Sequence, residues 1–332
     1  MIVPTPCPLV SVLISTKNDE STLGECLESL ARQTFESLEV VVVSDGSTDT
    51  TLEIAQGFAQ AHPQVRVIAL EPSRGIAGAR NLAMQHASGG IFAFLDGDAF
   101  AEPEWLVNLI LPFREQAGVG CTGGPDIVPA DDPLVSRCAG YSMHSLIGSG
   151  GLRRGRTRLV RYAPAGCNMA VAREVIDEVG GFDETMIPRG EEKELQERIR
   201  KAGYRVAYAP EAVIWHRRRT SLRAFWRQMF SSGIVRAKIL RYHPDRIQPA
   251  QLAPAALVAA ALLGVLPALA VPAAWAVWLA CAGGYLALLL ADGLLGAAQL
   301  RSARAALVVP LTSAIVLLGY GAGTLAGLIR KG

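Results

Sequence analysis

Ile91-Phe92-Ala93-Phe94-Leu95 runs directly into Asp96-Gly97-Asp98. Five consecutive apolar residues leave no polar face, so a strand formed here is covered on both sides, as in a parallel α/β sheet with helices above and below. Two carboxylates then fall one residue apart where that strand runs out. They have two readings. One is a solvated turn. In the other, Gly97 lets the backbone turn tightly, and both side chains offer oxygen ligands to a hard divalent ion such as Mg²⁺ or Mn²⁺.

The surrounding chain repeats this pattern. Pro8 to Thr16 reads as a first strand, and Thr22 with Glu25 three residues on is a capping-box signature for a helix with Leu23, Cys26, Leu27 and Leu30 on one face. Leu38 to Val43 is a second buried strand, ending at Ser44-Asp45-Gly46-Ser47-Thr48-Asp49. A helix over 51–61, a strand over 65–70 and a helix over 76–87 lead into the Asp96/Asp98 strand. Such alternation predicts parallel strands joined by right-handed crossovers, with ligands beyond the strands' carboxyl ends. Thr16, Asp45, Asp96 and Asp98 all fall on that edge, a geometry suited to a nucleotide. Asp45 there accepts hydrogen bonds from a base or ribose; the plain alternative is a turn with a helix cap. No phosphate loop and no Gly-x-Gly-x-x-Gly run is present, which argues against a mononucleotide kinase or a dinucleotide dehydrogenase.

Taken together, Val10 through Asn18, Val43 through Asp49, Gly75 through Arg80-Asn81, Asp96-Gly97-Asp98, Gly166 through Ala170, Gly180 through Glu184, Gly190-Glu191-Glu192 and His216 resemble glycosyltransferase family 2. The resemblance covers about residues 8 to 230 in consistent order. It implies a GT-A nucleotide-sugar-binding fold and transfer of a sugar from a nucleoside diphosphate donor, a UDP-sugar foremost, with inversion at the anomeric carbon. It implies donor contacts from Thr16, Asn18, Asp45, Arg80, Asn81 and Asp96. Asp98 is then the first metal ligand, with Asp96 beside it and His216 as a third ligand or phosphate contact. Glu191 and Glu192 stand where the family has Glu-Asp, so Glu192 takes the place of the catalytic base, one methylene longer than aspartate. Their plain reading is a helix N-terminus rich in carboxylates. Ser44-Asp45 replaces the two adjacent acids common in the family.

Half of the residues are hydrophobic and the mean hydropathy is +0.27. No charge occurs between Arg246 and Asp292, or from Ala305 to Ile329, which predicts three membrane helices, the first two separated near Pro272. No basic, apolar leader marks a cleaved signal peptide. From Arg217 to Arg246 there are nine Lys or Arg and one acid, which the positive-inside rule assigns to the cytoplasm. Arg301 and Arg304 agree with that topology; Arg330 and Lys331 do not. Leu222, Phe225, Trp226, Met229 and Phe230 share one helical face, which suits an amphipathic helix on an anionic membrane surface, or packing against the catalytic domain. A basic cluster beside a membrane span, without a binding motif, argues against nucleic acid. The six cysteines have no close-pair metal spacing and read as reduced thiols. Arg153, Arg154, Arg156, Arg158 and Arg161 lie among glycines, in a loop that either closes over phosphates or is simply solvated.

The expected protein is therefore a cytosolic GT-A domain over 1–216, a basic juxtamembrane helix over 217–246 and a membrane region over 247–332. It is multi-pass in the inner membrane and moves a sugar, with Mg²⁺ or Mn²⁺, onto a lipid-linked or membrane-associated acceptor. Gln-x-x-Arg-Trp is absent near Arg223 to Gln228, so one sugar per encounter is expected. The rivals are a polyprenyl-phosphate sugar synthase, whose anionic acceptor needs no base, and a silent membrane scaffold.

Overall fold

The computed structural model describes residues 8–149, 162–186, 190–217, 220–244 and 249–329. The arginine-rich stretch 150–161, Arg218, Arg219, Arg246, Arg330 and Lys331 lie outside them. The chain forms two compact units: one of Met1–Ile127 with Tyr162–Arg217, the other of Val128–Arg161 with Arg218–Gly332. Residues 128–149 thus group with the C-terminal helices.

In the first unit, strands and helices alternate as β1 (Val10–Thr16), α1 (Leu23–Ala31), β2 (Leu38–Asp45), α2 (Thr51–Ala61), β3 (Val65–Leu70), α3 (Gly75–Gln85) and β4 (Ile91–Asp96). There follow β5 (Ala99–Ala101), α4 (Trp105–Glu115), β6 (Val119–Gly123) and β7 (Asp126–Ile127). After the excursion into the second unit, with α5 (Leu134–His144) and α6 (Leu146–Ser149), come β8 (Met169–Ala172), α7 (Arg173–Val179), α8 (Glu191–Lys201), β9 (Arg205–Tyr208) and β10 (Ile214–His216). The large sheet has the order β3-β2-β1-β4-β8-β6-β9. It is mostly parallel. β8 is the exception, antiparallel to both β4 and β6.

The apolar run of β4 is why this sheet forms as it does. Ala93 and Leu95 pack into one cluster with Val12, Ile14, Leu27, Trp105 and Leu109; Phe92 and Phe94 point the other way, among Leu13, Val41, Ala79, Met169 and Leu195. Both faces of the strand are buried, each large side chain contributing about 2 kcal/mol of transfer energy. A shorter sheet, β5-β10-β7, sits at the end of β4. Two local expectations change. Thr22 caps α1 without a side-chain hydrogen bond to its amides; its hydroxyl donates to the Asp19 carbonyl at 3.3 Å, so no capping box forms. And α8 begins at Glu191, two residues early, because the Gly190 carbonyl accepts the amides of Lys193 and Glu194.

The second unit holds α5, α6, α9 (Leu222–Tyr242), α10 (Ala253–Ala270), α11 (Pro272–Gln299) and α12 (Ala305–Ile329). Only α11 and α12, among the described residues, are long and apolar enough to cross a membrane; α10 carries a shorter apolar stretch, Ala253–Pro267. The three apolar helices the sequence suggests are present, the first two parting at Pro272. The apolar stripe of α9 is partly covered within this unit: Phe225 and Met229 are buried with Ala139, Met143, Ile315 and Val316, while Trp226 stays exposed. Asp292, on α11, is buried among hydroxyls from Tyr141, Ser145 and Ser313.

Candidate active site

Strand register explains which residues meet. Thr16 pairs with Ser44 and Ser15 with Asp96, so the ends of β1, β2 and β4 form one edge. After Asp96 the chain passes Gly97 and Asp98 into β5, and β10 runs antiparallel to β5 with His216 opposite Ala99. This delivers the His216 ring to the aspartates, its Nε2 3.2 Å from Asp98 Oδ1. His216 belongs to the strand rather than following it. Ligand atoms of Asp96, Asp98 and His216 all lie within 4.8 Å of one another. Two carboxylates and an imidazole suit a hard to borderline divalent ion such as Mg²⁺ or Mn²⁺. Burial alone would lower the His216 pKa, but Cys167, Asp126 and Asp98 outweigh it and hold the imidazole well above its ordinary value. Gly97 lies in the turn between β4 and β5 and also permits close approach: a Cβ there would stand 2.7 Å from Thr16 Oγ1.

Arg80, on α3, is the hub on the other side of Asp96. Its Nη2 donates to Asp96 Oδ1 at 2.9 Å and its Nη1 to Glu191 Oε1 at 2.8 Å. The guanidinium stacks near Phe94 and Phe182 and is almost fully buried. Burial disfavours its charge, but Asp96, Glu191 and Glu192 more than compensate and raise its pKa. Glu191 is buried in the first turn of α8. Burial, then the neighbouring Glu192, push its carboxyl up to about 7 against the pull of Arg80. Glu192 is half-buried in the same turn, near enough to act on both.

The remaining sequence-predicted residues are turned toward the protein. Asp45 is buried, with Oδ2 accepting from Ser73 Oγ at 2.7 Å and Gly75 N at 2.9 Å and Oδ1 from Arg74 N at 2.7 Å. It ties the 73–75 loop at the start of α3. Asn18, at φ 57°, accepts from Thr48 N at 2.8 Å and so joins the loops after β1 and β2. Thr16 Oγ1 donates to Asp19 Oδ2 at 2.6 Å. Asn81 is engaged by the 182–184 segment. Its amide brackets Phe182, donating to the carbonyl at 2.9 Å and accepting from the nitrogen at 2.8 Å, and donates to Glu184 Oε1 at 3.0 Å.

Sequence reasoning missed Asp19, Asp126 and Cys167. Asp19 has its pKa raised, first by burial and then in part by the charges of Asp98 and Asp96. Asp126 and Cys167 lie beside His216, 3.9 and 3.6 Å from its Nδ1. Asp126 at the end of a glycine-rich turn was a readable signal; the meeting itself depends on β7 pairing with β10.

A mostly parallel sheet with acids and a histidine at its carboxyl edge is the GT-A arrangement, and the chain belongs to glycosyl transferase family 2, whose model matches residues 11–180. It is a glycosyltransferase. Among curated relatives, Glycosyltransferase AglE of Haloferax volcanii is 28% identical over 213 residues, 63% of this chain and 67% of that protein. The pre-mycofactocin glycosyltransferase of Mycobacterium tuberculosis is 31% identical over 241 residues, 71% of this chain and 48% of that protein. The chain thus spans about two thirds of the first and about half of the second. Mannosyltransferase PcManGT from Pyrobaculum calidifontis, solved with GDP-Man and Mn²⁺, shares the fold at TM-score 0.60 and 22% identity, over 98% of this chain and 88% of that one.

Proposed function

We propose that this glycosyltransferase moves a sugar, with inversion, from a nucleoside diphosphate donor to a lipid-linked or membrane-associated acceptor, aided by Mg²⁺ or Mn²⁺. The observation that carries the reading is the convergence of Asp96, Asp98 and His216 at one point, with Arg80 linking Asp96 to Glu191 in the turn that presents Glu192. PcManGT was solved with a nucleotide sugar and Mn²⁺, which supports the same ligand classes here.

Asp98 and His216, with Asp96 beside them, would hold the divalent ion. Bound there, it would neutralise the diphosphate as that group takes on charge in leaving. Glu192 accepts the proton of the acceptor hydroxyl as the new bond to the anomeric carbon forms, since a sugar hydroxyl is a poor nucleophile unaided. Arg80 fixes Asp96 relative to α8, so donor and base are held in one frame. Asp45 keeps the loop at 73–75 in place, and through that loop it would shape the site for the donor's base, for which uridine is the expectation. Asn18 and Thr16 shape the same edge, and Asn81 steadies the 182–184 turn. In the second unit α11 and α12 would cross the inner membrane, with the catalytic unit on the cytoplasmic side.

Membranes carrying the protein, given a nucleotide sugar with a radiolabelled sugar, test this. Label should enter the lipid phase with Mn²⁺ and not with a chelator in excess; label confined to the aqueous phase under both conditions would contradict a lipid-linked acceptor.

A further inference from the structure

His216 stands between two sets of ligand atoms. Nε2 faces Asp98. Nδ1 faces the opposite way, 3.6 Å from Cys167 Sγ and 3.9 Å from Asp126 Oδ2, and ligand atoms of these three residues lie within 4.8 Å of one another. The transfer chemistry uses only the first edge. The second is drier: Cys167 is 4% exposed and the Asp126 side chain 8%.

We propose that Asp126, Cys167 and His216 Nδ1 form a binding site for a thiophilic divalent cation, Zn²⁺ foremost, which competes with the Asp96/Asp98 group for His216. The competition, though not the site, rests on the function proposed above.

Geometry favours it. A tetrahedral ion with metal–sulfur near ~2.3 Å and metal–nitrogen near ~2.0 Å holds those two ligand atoms about 3.5 Å apart. Cys167 and His216 stand at 3.6 Å. Asp126 is further out than the roughly 3.3 Å such an ion requires, a gap of about half an ångström that rotation of its carboxylate covers. Charge favours it as well, because a thiolate and a carboxylate cancel the charge of a dication, and a buried site must end near neutrality. Burial, opposed by His216, pushes the Cys167 thiol pKa up, so without an ion it is a thiol. On ligation the Cys167 S–H and the imidazolium Nδ1–H bonds break, both protons leave to solvent, and sulfur–metal and nitrogen–metal bonds form, with no change of oxidation state. Sulfur selects Zn²⁺ over Mg²⁺ and Mn²⁺, which prefer the oxygens on the other edge.

A neutral imidazole has one lone pair. An ion on Nδ1 leaves the hydrogen on Nε2, which then donates toward Asp98 instead of ligating. Either site therefore withdraws His216 from the other.

Co²⁺ is the probe, since thiolate ligation gives it a charge-transfer band in the near ultraviolet. The metal-stripped full chain is titrated with Co²⁺. The band should appear, be displaced by Zn²⁺, be absent in Cys167→Ser and need about tenfold more Co²⁺ in Asp126→Asn. In parallel, Zn²⁺ should weaken Mn²⁺-dependent UDP binding in the wild type and not in Cys167→Ser. No band in the wild type, an equal band in Cys167→Ser, or the same Zn²⁺ effect in both proteins overturns the proposal. Should Cys167→Ser not fold, Asp126→Asn decides, and an unshifted titration overturns it. Absence of UDP binding from both proteins would count against the proposed donor, while the Co²⁺ band still decides the site.

Discussion

Arg80 and Glu191 form a buried ion pair: Nη1 lies 2.8 Å from Oε1, the side chains 3% and 4% exposed. The second oxygen of Glu191, Oε2, has no hydrogen-bond partner among the described residues. The same guanidinium also holds Asp96, so one cation ties the end of β4 to the first turn of α8.

That arrangement has a pH signature. Burial and Glu192 raise the Glu191 carboxyl to about 7 in the folded chain. A carboxyl raised above its unfolded value of about 4.3 takes up a proton on folding. Its contribution is full below the unfolded value and is lost as pH climbs through the folded one. The thermal midpoint should therefore fall between about pH 5 and about pH 8, and Glu191→Gln should flatten that fall. A slope unchanged by the substitution contradicts the assignment.

Gly166 packs directly on this pair. A Cβ there would stand 2.7 Å from Arg80 Nη1 and 2.8 Å from Nη2. The guanidinium is clamped by two carboxylates and cannot swing aside without loss. Gly166→Ala should cost about 1–3 kcal/mol in chemical denaturation and lower turnover with it. An unaltered midpoint would mean that Arg80 yields freely.

Glu192→Gln separates the two acceptor chemistries. Loss of a general base slows transfer by about 10²–10⁴ while leaving donor affinity intact. Steady-state turnover and UDP binding, measured on the same preparation, give both numbers. Near-normal turnover would favour an acceptor that is already an anion, as in polyprenyl-phosphate sugar synthesis.

Asp292 tests the helical unit. Its carboxylate accepts from Ser313 Oγ at 2.6 Å, Tyr141 Oη at 3.1 Å and Ser145 Oγ at 3.2 Å, joining α11 to α12, to α5 and to the residue between α5 and α6. Asp292→Ala strands buried hydroxyls at about 1–3 kcal/mol for an unsatisfied group, so the melting temperature in detergent should drop by several degrees. Melting at the wild-type temperature would show the network to be dispensable.

Local pattern was legible where apolar periodicity and turn residues mark the same ends. The runs at 65–70 and 51–61 have the ends the sequence suggests, because apolar content and turn residues coincide there. Met169–Ala172 gave no such warning: four apolar residues inside a turn-rich stretch become the antiparallel strand between β4 and β6 only through long-range pairing. Asn81 read as a ligand contact because it adjoins Arg80, yet one helical step turns it to the 182–184 loop instead. The edge formed by Asp96, Asp98 and His216 was legible; the ties from Arg80 to Glu191 and from Asp126 to His216 were not, since each spans residues far apart in sequence and rests on strand or helix placement.

The central claim is a metal-dependent nucleotide site at Asp98. Isothermal calorimetry of the detergent-purified chain with UDP and with GDP, with and without Mn²⁺, measures it directly, beside Asp98→Ala shown to be folded by its thermal melt. The account predicts UDP binding that requires Mn²⁺ and weakens by at least about tenfold in Asp98→Ala. Binding of equal strength without the ion, or undiminished in the variant, would contradict it.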